Sequence, residues 1–174
     1  MKNIAVSELA SAVETLRAGE EIALSGTVYT ARDAAHKKIM ALLAENQPLP
    51  FPLQESVLYY AGPTPAPAHL PIGSCGPTTS SRMDPYTPAL LDHGLRAIIG
   101  KGPRNQAVWD AILRNHAIYL CAIGGAGALA AQSVRSLEVI AFPELGCESI
   151  KRLEVENFPL IVAIDACGGN LFQK

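Results

Sequence analysis

Apolar residues recur along this chain in two rhythms, one helical and one of period two, and their alternation predicts an α/β fold. Leu9, Val13 and Leu16 share one face of a segment from Val6 to Ala18, with Ser7 placed to cap it and Gly19 to end it, which predicts a short amphipathic helix. Ile22, Leu24 and Val28 predict a strand over Glu21 to Tyr29, and the Ser25-Gly26 pair inside it predicts a bulge or a close backbone approach. Thr30 with Asp33 makes a capping-box-like start for a helix running to about Ala44. A proline-bearing connection from Gln47 to Gln54 leads to a strand over Ser56 to Ala61. Gly62-Pro63-Thr64-Pro65-Ala66-Pro67 then forms a stiff, extended loop.

The second half repeats the alternation. Thr87 as cap and Pro88 in the first turn predict a helix with Leu90 and Leu91 inward, stopped at Gly94. Ala97-Ile98-Ile99 reads as a buried strand, Asn105 to Asn115 as a helix and His116 to Ile123 as a strand. Gly127 to Ser133 is a helix whose small residues pack on the sheet, and strands over Leu137 to Phe142 and Leu160 to Asp165 finish the pattern.

Composition narrows the function classes. The chain has 174 residues, 49% of them hydrophobic, enough for one domain with a proper core and no evident linker. Net charge is -2 and the basic residues are scattered, which argues against nucleic acid or an anionic membrane surface as partner. No apolar run approaches a bilayer-spanning length and the N-terminus has no signal-like apolar region, so a cytosolic protein is expected. Cys75, Cys121, Cys147 and Cys167 are far apart, with no histidine at a zinc-site spacing. They read as reduced thiols, buried at Cys121 and Cys167.

Candidate chemistry concentrates in Gly73-Ser74-Cys75-Gly76-Pro77-Thr78-Thr79-Ser80-Ser81-Arg82-Met83-Asp84. Gly76 permits a sharp backbone approach, Pro77 fixes φ, and Thr78 or Thr79 can cap a helical turn whose N–H groups face an anion. If that turn runs from Thr79 to Pro85, Thr78 and Arg82 stand on adjacent turns, a hydroxyl and a guanidinium suited to a carboxylate or phosphate. The same residues also read as a capped surface turn. Arg32, in a helical first turn, opposes the helix dipole by roughly 0.3–1 kcal/mol, so it either points away or is held by an anion. Lys101 follows a strand within Gly100-Lys101-Gly102, where α/β sheets collect ligands, although a tight turn with a solvated lysine fits equally. Gly125-Ala126-Gly127-Ala128-Leu129-Ala130 fits a dinucleotide fingerprint with Glu144 at the ribose spacing. Its place late in the chain, with few βαβ repeats around it, argues against that use.

In order along the chain, Ser25-Gly26-Thr27 with Arg32-Asp33-Ala34-Ala35-His36, Ala61-Gly62-Pro63, Gly76 to Ser80 with Arg82-Met83-Asp84, Ile99-Gly100-Lys101-Gly102, Gly124-Gly125-Ala126, Glu144-Leu145-Gly146 and Phe158-Pro159 make a set. This set resembles the β subunit, or C-terminal domain, of the iron–sulfur class I fumarase and tartrate dehydratase hydro-lyases, over nearly the whole length. The resemblance implies a swivelling β/β/α domain over residues 1–174, a single compact unit with a mixed sheet and flanking helices. It implies a partner α subunit that carries the ligands of a 4Fe-4S cluster, so that no cofactor or metal ligand is expected in this chain, and an α2β2 assembly. It further implies that Thr78 is the base at C3 of the substrate, that Arg32, Arg82 and Lys101 hold the substrate carboxylates, and that Gly76 and Thr79 lie in the same site. A threonine hydroxyl is a poor base without flanking cations and a second base, which the α subunit would supply. The implied reaction is reversible hydration of a C4 dicarboxylate, fumarate to malate first, with tartrate or mesaconate chemistry as alternatives. A carboxylate-binding module without activity and a dinucleotide-binding enzyme are the competing readings.

Overall fold

Alternate residues of each central strand face opposite layers, and that period of two builds the molecule. The computed structural model describes residues 1–123 and 126–173. The strands are β1 (Lys2–Ala5), β2 (Glu21–Thr30), β3 (Val57–Tyr59), β4 (Ala97–Gly100), β5 (Ile118–Ala122), β6 (Val134–Ala141) and β7 (Ile150–Ile164). The helices are α1 (Leu9–Ala12), α2 (Asp33–Ala44), α3 (Thr87–Asp92), α4 (Gln106–Arg114) and α5 (Ala126–Ser133), with 3-10 turns at Val6–Glu8, Ser80–Met83 and Pro143–Glu148. The sheet runs β1-β2-β3-β4-β5-β7-β6, with β1 to β5 parallel and β7 antiparallel to its neighbours. Because β7 pairs with β2 as well as β5, the sheet closes on itself.

Val57, Tyr59, Ala97, Ile99, Ile118 and Leu120 pack inside the closed sheet against Ile22, Leu24, Leu160 and Val162. Leu58, Ile98 and Tyr119 point the other way, into an outer layer formed by Ile39 of α2, Leu90 and Leu91 of α3, and Val108 and Ile112 of α4. This is the expected α/β architecture of a mixed sheet with flanking helices. The expected bulge is also present, as a register shift between Leu24 and Gly26 where β2 meets β7.

Several boundaries differ from the sequence reading. The helix expected over Val6 to Ala18 shrinks to a 3-10 turn and α1, and is preceded by β1, whose one buried residue, Ile4, is too little pattern to read. The capping box at Thr30 does not form. Thr30 is the last residue of β2, its hydroxyl accepts the Lys151 N–H at 3.2 Å, and Arg32 is the residue at the α2 N-cap. Thr87 is the first helical residue of α3 rather than its cap; its hydroxyl donates to Met83 O at 2.9 Å.

The last strand is much longer than expected, 15 residues through Phe158-Pro159. Proline ordinarily interrupts a ladder. Here Pro159 falls between the stretch of β7 paired to β6, ending at Val155, and the stretch paired to β5, beginning at Leu160. One side of β7 has no strand there, so a residue without an N–H is accommodated. Cys167, expected to be buried, is exposed, because β7 ends at Ile164 and the chain turns outward; Cys121 is buried as expected.

Candidate active site at the strand ends

The parallel strands β2, β3 and β4 end together. Thr30 is level with Tyr59, and Tyr59 with Ile99, while Ala31 N–H to Tyr59 O and Tyr60 N–H to Ile99 O carry the ladder one residue further. Two residues beyond that level stand Arg32, Ala61 and Lys101. With strands about 4.8 Å apart, the outer two leave the sheet roughly 10 Å from each other. Above them runs the Pro77–Thr79 segment, bridged to Ala61 through Pro77 and to Lys101 through Thr79. Thr78 lies between those two bridges, its N–H donating to Tyr60 O at 2.7 Å. The hydroxyl-bearing residue is thereby set between the ends that carry Arg32 and Lys101.

Arg32 is packed along Gly62: a methyl there would lie 2.9 Å from Arg32 Cδ and 3.0 Å from Nη1. Glycine at 62 leaves room for the guanidinium. Arg32 Nε is buried with no hydrogen-bond partner, and an orphaned buried donor costs on the order of 1–3 kcal/mol. Among the described residues neither Arg32 nor Lys101 forms an ion pair. Arg32 occupies extended backbone at the α2 N-cap, one residue ahead of the helical first turn in which it was expected. Its use is instead argued by its missing partner.

The loop carrying Thr78 is tied down from below. Ser80 N–H donates to Lys101 O at 2.9 Å, and Lys101 N–H to Ser80 Oγ at 3.0 Å. Tyr119 OH donates to Gly102 O at 2.8 Å and accepts from Ser80 Oγ at 2.7 Å. Further along, Asp84 takes Arg104 Nε at 2.7 Å and Asn105 N–H at 3.0 Å, while Arg104 Nη2 donates to Tyr60 OH and Thr87 Oγ1. Tyr60 and Tyr119 flank this guanidinium, with centroids 5.2 and 5.0 Å away. At the loop's start, Tyr59 OH donates to Cys75 O, and Thr64 of the proline loop binds Ser74 N–H through its hydroxyl.

Other expected members fall less simply. The turn after Thr79 is a 3-10 turn over Ser80–Met83, and no side chain caps it, so neither threonine acts as the expected cap and Thr78 lies outside the turn. Thr79 is exposed and contributes its backbone bridge to Lys101. Gly76 shows no sharp approach, a methyl at that position meeting only Gly127 at 3.6 Å; the crowded glycine is Gly73, against Thr64 and Pro65. Arg82 is turned to Asp33, with Nη2 to Oδ1 at 2.7 Å and Nε to Oδ2 at 3.1 Å. Gly124 and Gly125, including the start of the dinucleotide-like motif, lie outside the described residues. Glu144 faces Lys38 at 3.4 Å on the surface.

His36 is buried beneath the row, its Nδ1 2.7 Å from Arg32 O. Burial lowers its pKa to about 4, so it is neutral and packs against Tyr60 and Tyr86. Among the described residues no group of three or more His, Cys, Asp or Glu side chains could hold a metal ion. Burial pushes the Cys75 thiol up to about 12 and also raises Cys121, so neither offers a ready thiolate. Concavities of about 290 and 360 Å³ flank the proline loop, and neither includes Arg32, Thr78, Arg82 or Lys101. Lys101 is exposed, and Arg32 and Thr78 are partly exposed. Arg104 was not singled out in the sequence, and Asp33 and Asp84 were named there as a capping residue and as motif members rather than as partners of arginines, because those partners are distant in the chain.

Arg32, Thr78 and Lys101 thus come together at the ends of the parallel strands of an α/β domain. The whole chain, residues 1–174, matches the family model described as Fumarase C-terminus, and the chain belongs to that family. It is 40% identical over 174 residues to the anaerobic class I fumarate hydratase of Escherichia coli (strain K12), covering 99% of this chain and 32% of that protein. It is 40% identical over 158 residues to fumarate hydratase 2 of Leishmania major, covering 90% and 28%. It is 39% identical over 168 residues to a putative L(+)-tartrate dehydratase subunit beta of Methanocaldococcus jannaschii, covering 93% and 86%. The chain therefore spans about a third of the length of the fumarate hydratases it matches.

Proposed function

We propose that residues 1–174 form one fumarase C-terminal-type domain that supplies the carboxylate-binding half of a hydro-lyase site, acting on fumarate and water to give malate and on the reverse reaction. The observation that carries this reading is the pair of cations that form no ion pair among the described residues, Arg32 and Lys101, on either side of Thr78. Arg32, Lys101 and Arg82 bind the carboxylates, with Gly76 and Thr79 bordering the same surface. Removal of the C3 proton moves charge onto the adjacent carboxylate, and fixed cations stabilise that charge where it develops. Thr78 Oγ takes the C3 proton in dehydration and returns it in hydration, and the flanking cations favour its deprotonated form.

The exposure at Arg32, Thr78 and Lys101 and the relative named as a beta subunit support a second, α-type subunit that completes the site, in an α2β2 arrangement. The cysteines of this chain do not fit an iron–sulfur cage, so the 4Fe-4S cluster is assigned to that partner. The partner also supplies the base that assists Thr78. Tartrate dehydration is the second reading, supported by the beta-subunit relative and its 86% coverage.

The test is anaerobic hydratase activity, followed by fumarate absorbance and repeated with L(+)-tartrate, for this chain co-produced with a cysteine-bearing subunit encoded nearby and for each alone. Turnover only in the mixture is the expected result. A mixture that contains the cluster but turns over neither substrate overturns the reading.

A further inference from the structure

Asp33 is the first residue of α2, where a carboxylate ordinarily turns back toward the free N–H groups of its own helix. It does not do so here. The Ala34 N–H is met instead by Glu148 Oε1 at 3.2 Å, from the 3-10 turn before β7. Both Asp33 oxygens are directed 49 residues along the chain, to the Nε–Nη2 edge of Arg82. The pair is half open, with side-chain exposures of 50% for Arg82 and 32% for Asp33, so its contribution to folding is small.

A guanidinium has five N–H donors in a rigid fork, and a carboxylate on the Nε–Nη2 edge consumes two of them. Nη1 and the second Nη2 hydrogen remain, and they form an edge of their own that accepts another carboxylate. Among the described residues Arg82 Nη1 has no protein partner. Asp33 and a substrate carboxylate can therefore hold Arg82 at the same time, on different edges. Asp33 is also the immediate neighbour of Arg32, so one short stretch places one cation directly and a second one through its carboxylate.

We propose that Asp33 is a positioning residue for the dicarboxylate: it pre-orders Arg82 so that its Nη1–Nη2 edge meets a substrate carboxylate without first losing side-chain freedom. This rests on the functional reading above. A residue with this role lowers KM and leaves the chemical step alone.

The test uses the complete enzyme with its partner subunit and steady-state kinetics on fumarate for wild type, Asp33→Asn, Asp33→Glu, Arg82→Ala and the Asp33→Asn/Arg82→Ala double variant. Asp33→Asn should raise KM about tenfold, the scale of ordering one long side chain, with kcat within about twofold. Asp33→Glu, which keeps the fork, should recover most of the loss. In the Arg82→Ala background, Asp33→Asn should change KM no further, because the residue it orders is gone. A purely structural role at the start of α2 lowers the melting temperature of Asp33→Asn, leaves KM unchanged and overturns the inference. So does a KM effect that adds to that of Arg82→Ala, or a KM that falls, which would make Asp33 a competitor of substrate. An active wild type with a flat Asp33→Asn sinks this inference alone. A wild type that binds fumarate without turnover reads the same cycle by Kd from calorimetry, and one that neither binds nor turns over sinks the functional reading and this inference together.

Discussion

Arg104 and Arg32 lie beneath and beside the same strand ends, and they are treated in opposite ways. The Arg104 side chain is 0% exposed and is surrounded by Asp84, Tyr60, Thr87 and the two tyrosine rings; only its Nη1 lacks a partner. Arg32 has no carboxylate among the described residues, one buried orphan nitrogen, and a glycine that makes room for its side chain. The carboxylate adjacent to it in sequence, Asp33, is committed to Arg82. A guanidinium supplied with protein acceptors is scaffold. A guanidinium kept from them at a strand end is the one the proposed function gives to the substrate.

That contrast is broken most sharply at Arg104. Arg104→Met should cost on the order of 3–5 kcal/mol, because it strands the buried Asp84 carboxylate. At about 2–4 °C per kcal/mol for a chain of this size, the melting temperature should fall by roughly 6–20 °C, measured by scanning calorimetry. A loss of a few degrees would mean that water replaces the guanidinium and that the network is not the anchor described. Arg32→Ala should do the reverse. Turnover by the complex should fall about 10²–10³-fold, the scale of one lost transition-state charge contact, while the melting temperature stays within about 2 °C of wild type. A large thermal loss together with intact turnover would exchange the two roles.

His36 sharpens the comparison from below the row. Its folded pKa of about 4 lies under the ordinary value of 6.5, so the neutral ring is the form the fold accepts. Stability is full above about pH 6.5, falls as pH drops and the unfolded chain takes up a proton that the folded chain refuses, and levels off below about pH 4. The drop amounts to about 3 kcal/mol. Chemical denaturation at several pH values should show that slope in the wild type and its loss in His36→Gln; an equal slope in both would assign the acid sensitivity to other groups.

Periodicity made most of the fold legible. Leu9, Val13 and Leu16 are buried as their spacing requires, and Asn105 caps α4 by accepting the Val108 N–H at 3.0 Å. Legibility failed where long-range pairing overrides local signals. Thr30 prefers the ladder with β7 to a helix cap, and Pro159 sits inside a long strand because one flank of that strand is open. At the site, Arg32, Thr78 and Lys101 were all named from the sequence, and the strand register brings them into one row. Arg82 was named too, but the carboxylate it meets, Asp33, lies 49 residues away and cannot be paired with it by spacing. The Arg104–Asp84 contact has the same character, a separation of 20 residues with no period to announce it. Residue types can be read locally; which cation is supplied with a partner is decided by contacts between segments distant in the chain.

The central claim is that Thr78, set between two cations that form no ion pair among the described residues, moves the proton at C3. The direct measurement compares Thr78→Ala with wild type in the complete enzyme, by turnover of fumarate and by calorimetric binding of the dicarboxylate. Turnover lowered at least about 10²-fold, with Kd within about threefold of wild type, is the predicted result, because a proton-transfer group acts on the transition state and not on the ground state. Turnover near wild type with the same binding would contradict the account and leave the row as a carboxylate clamp alone.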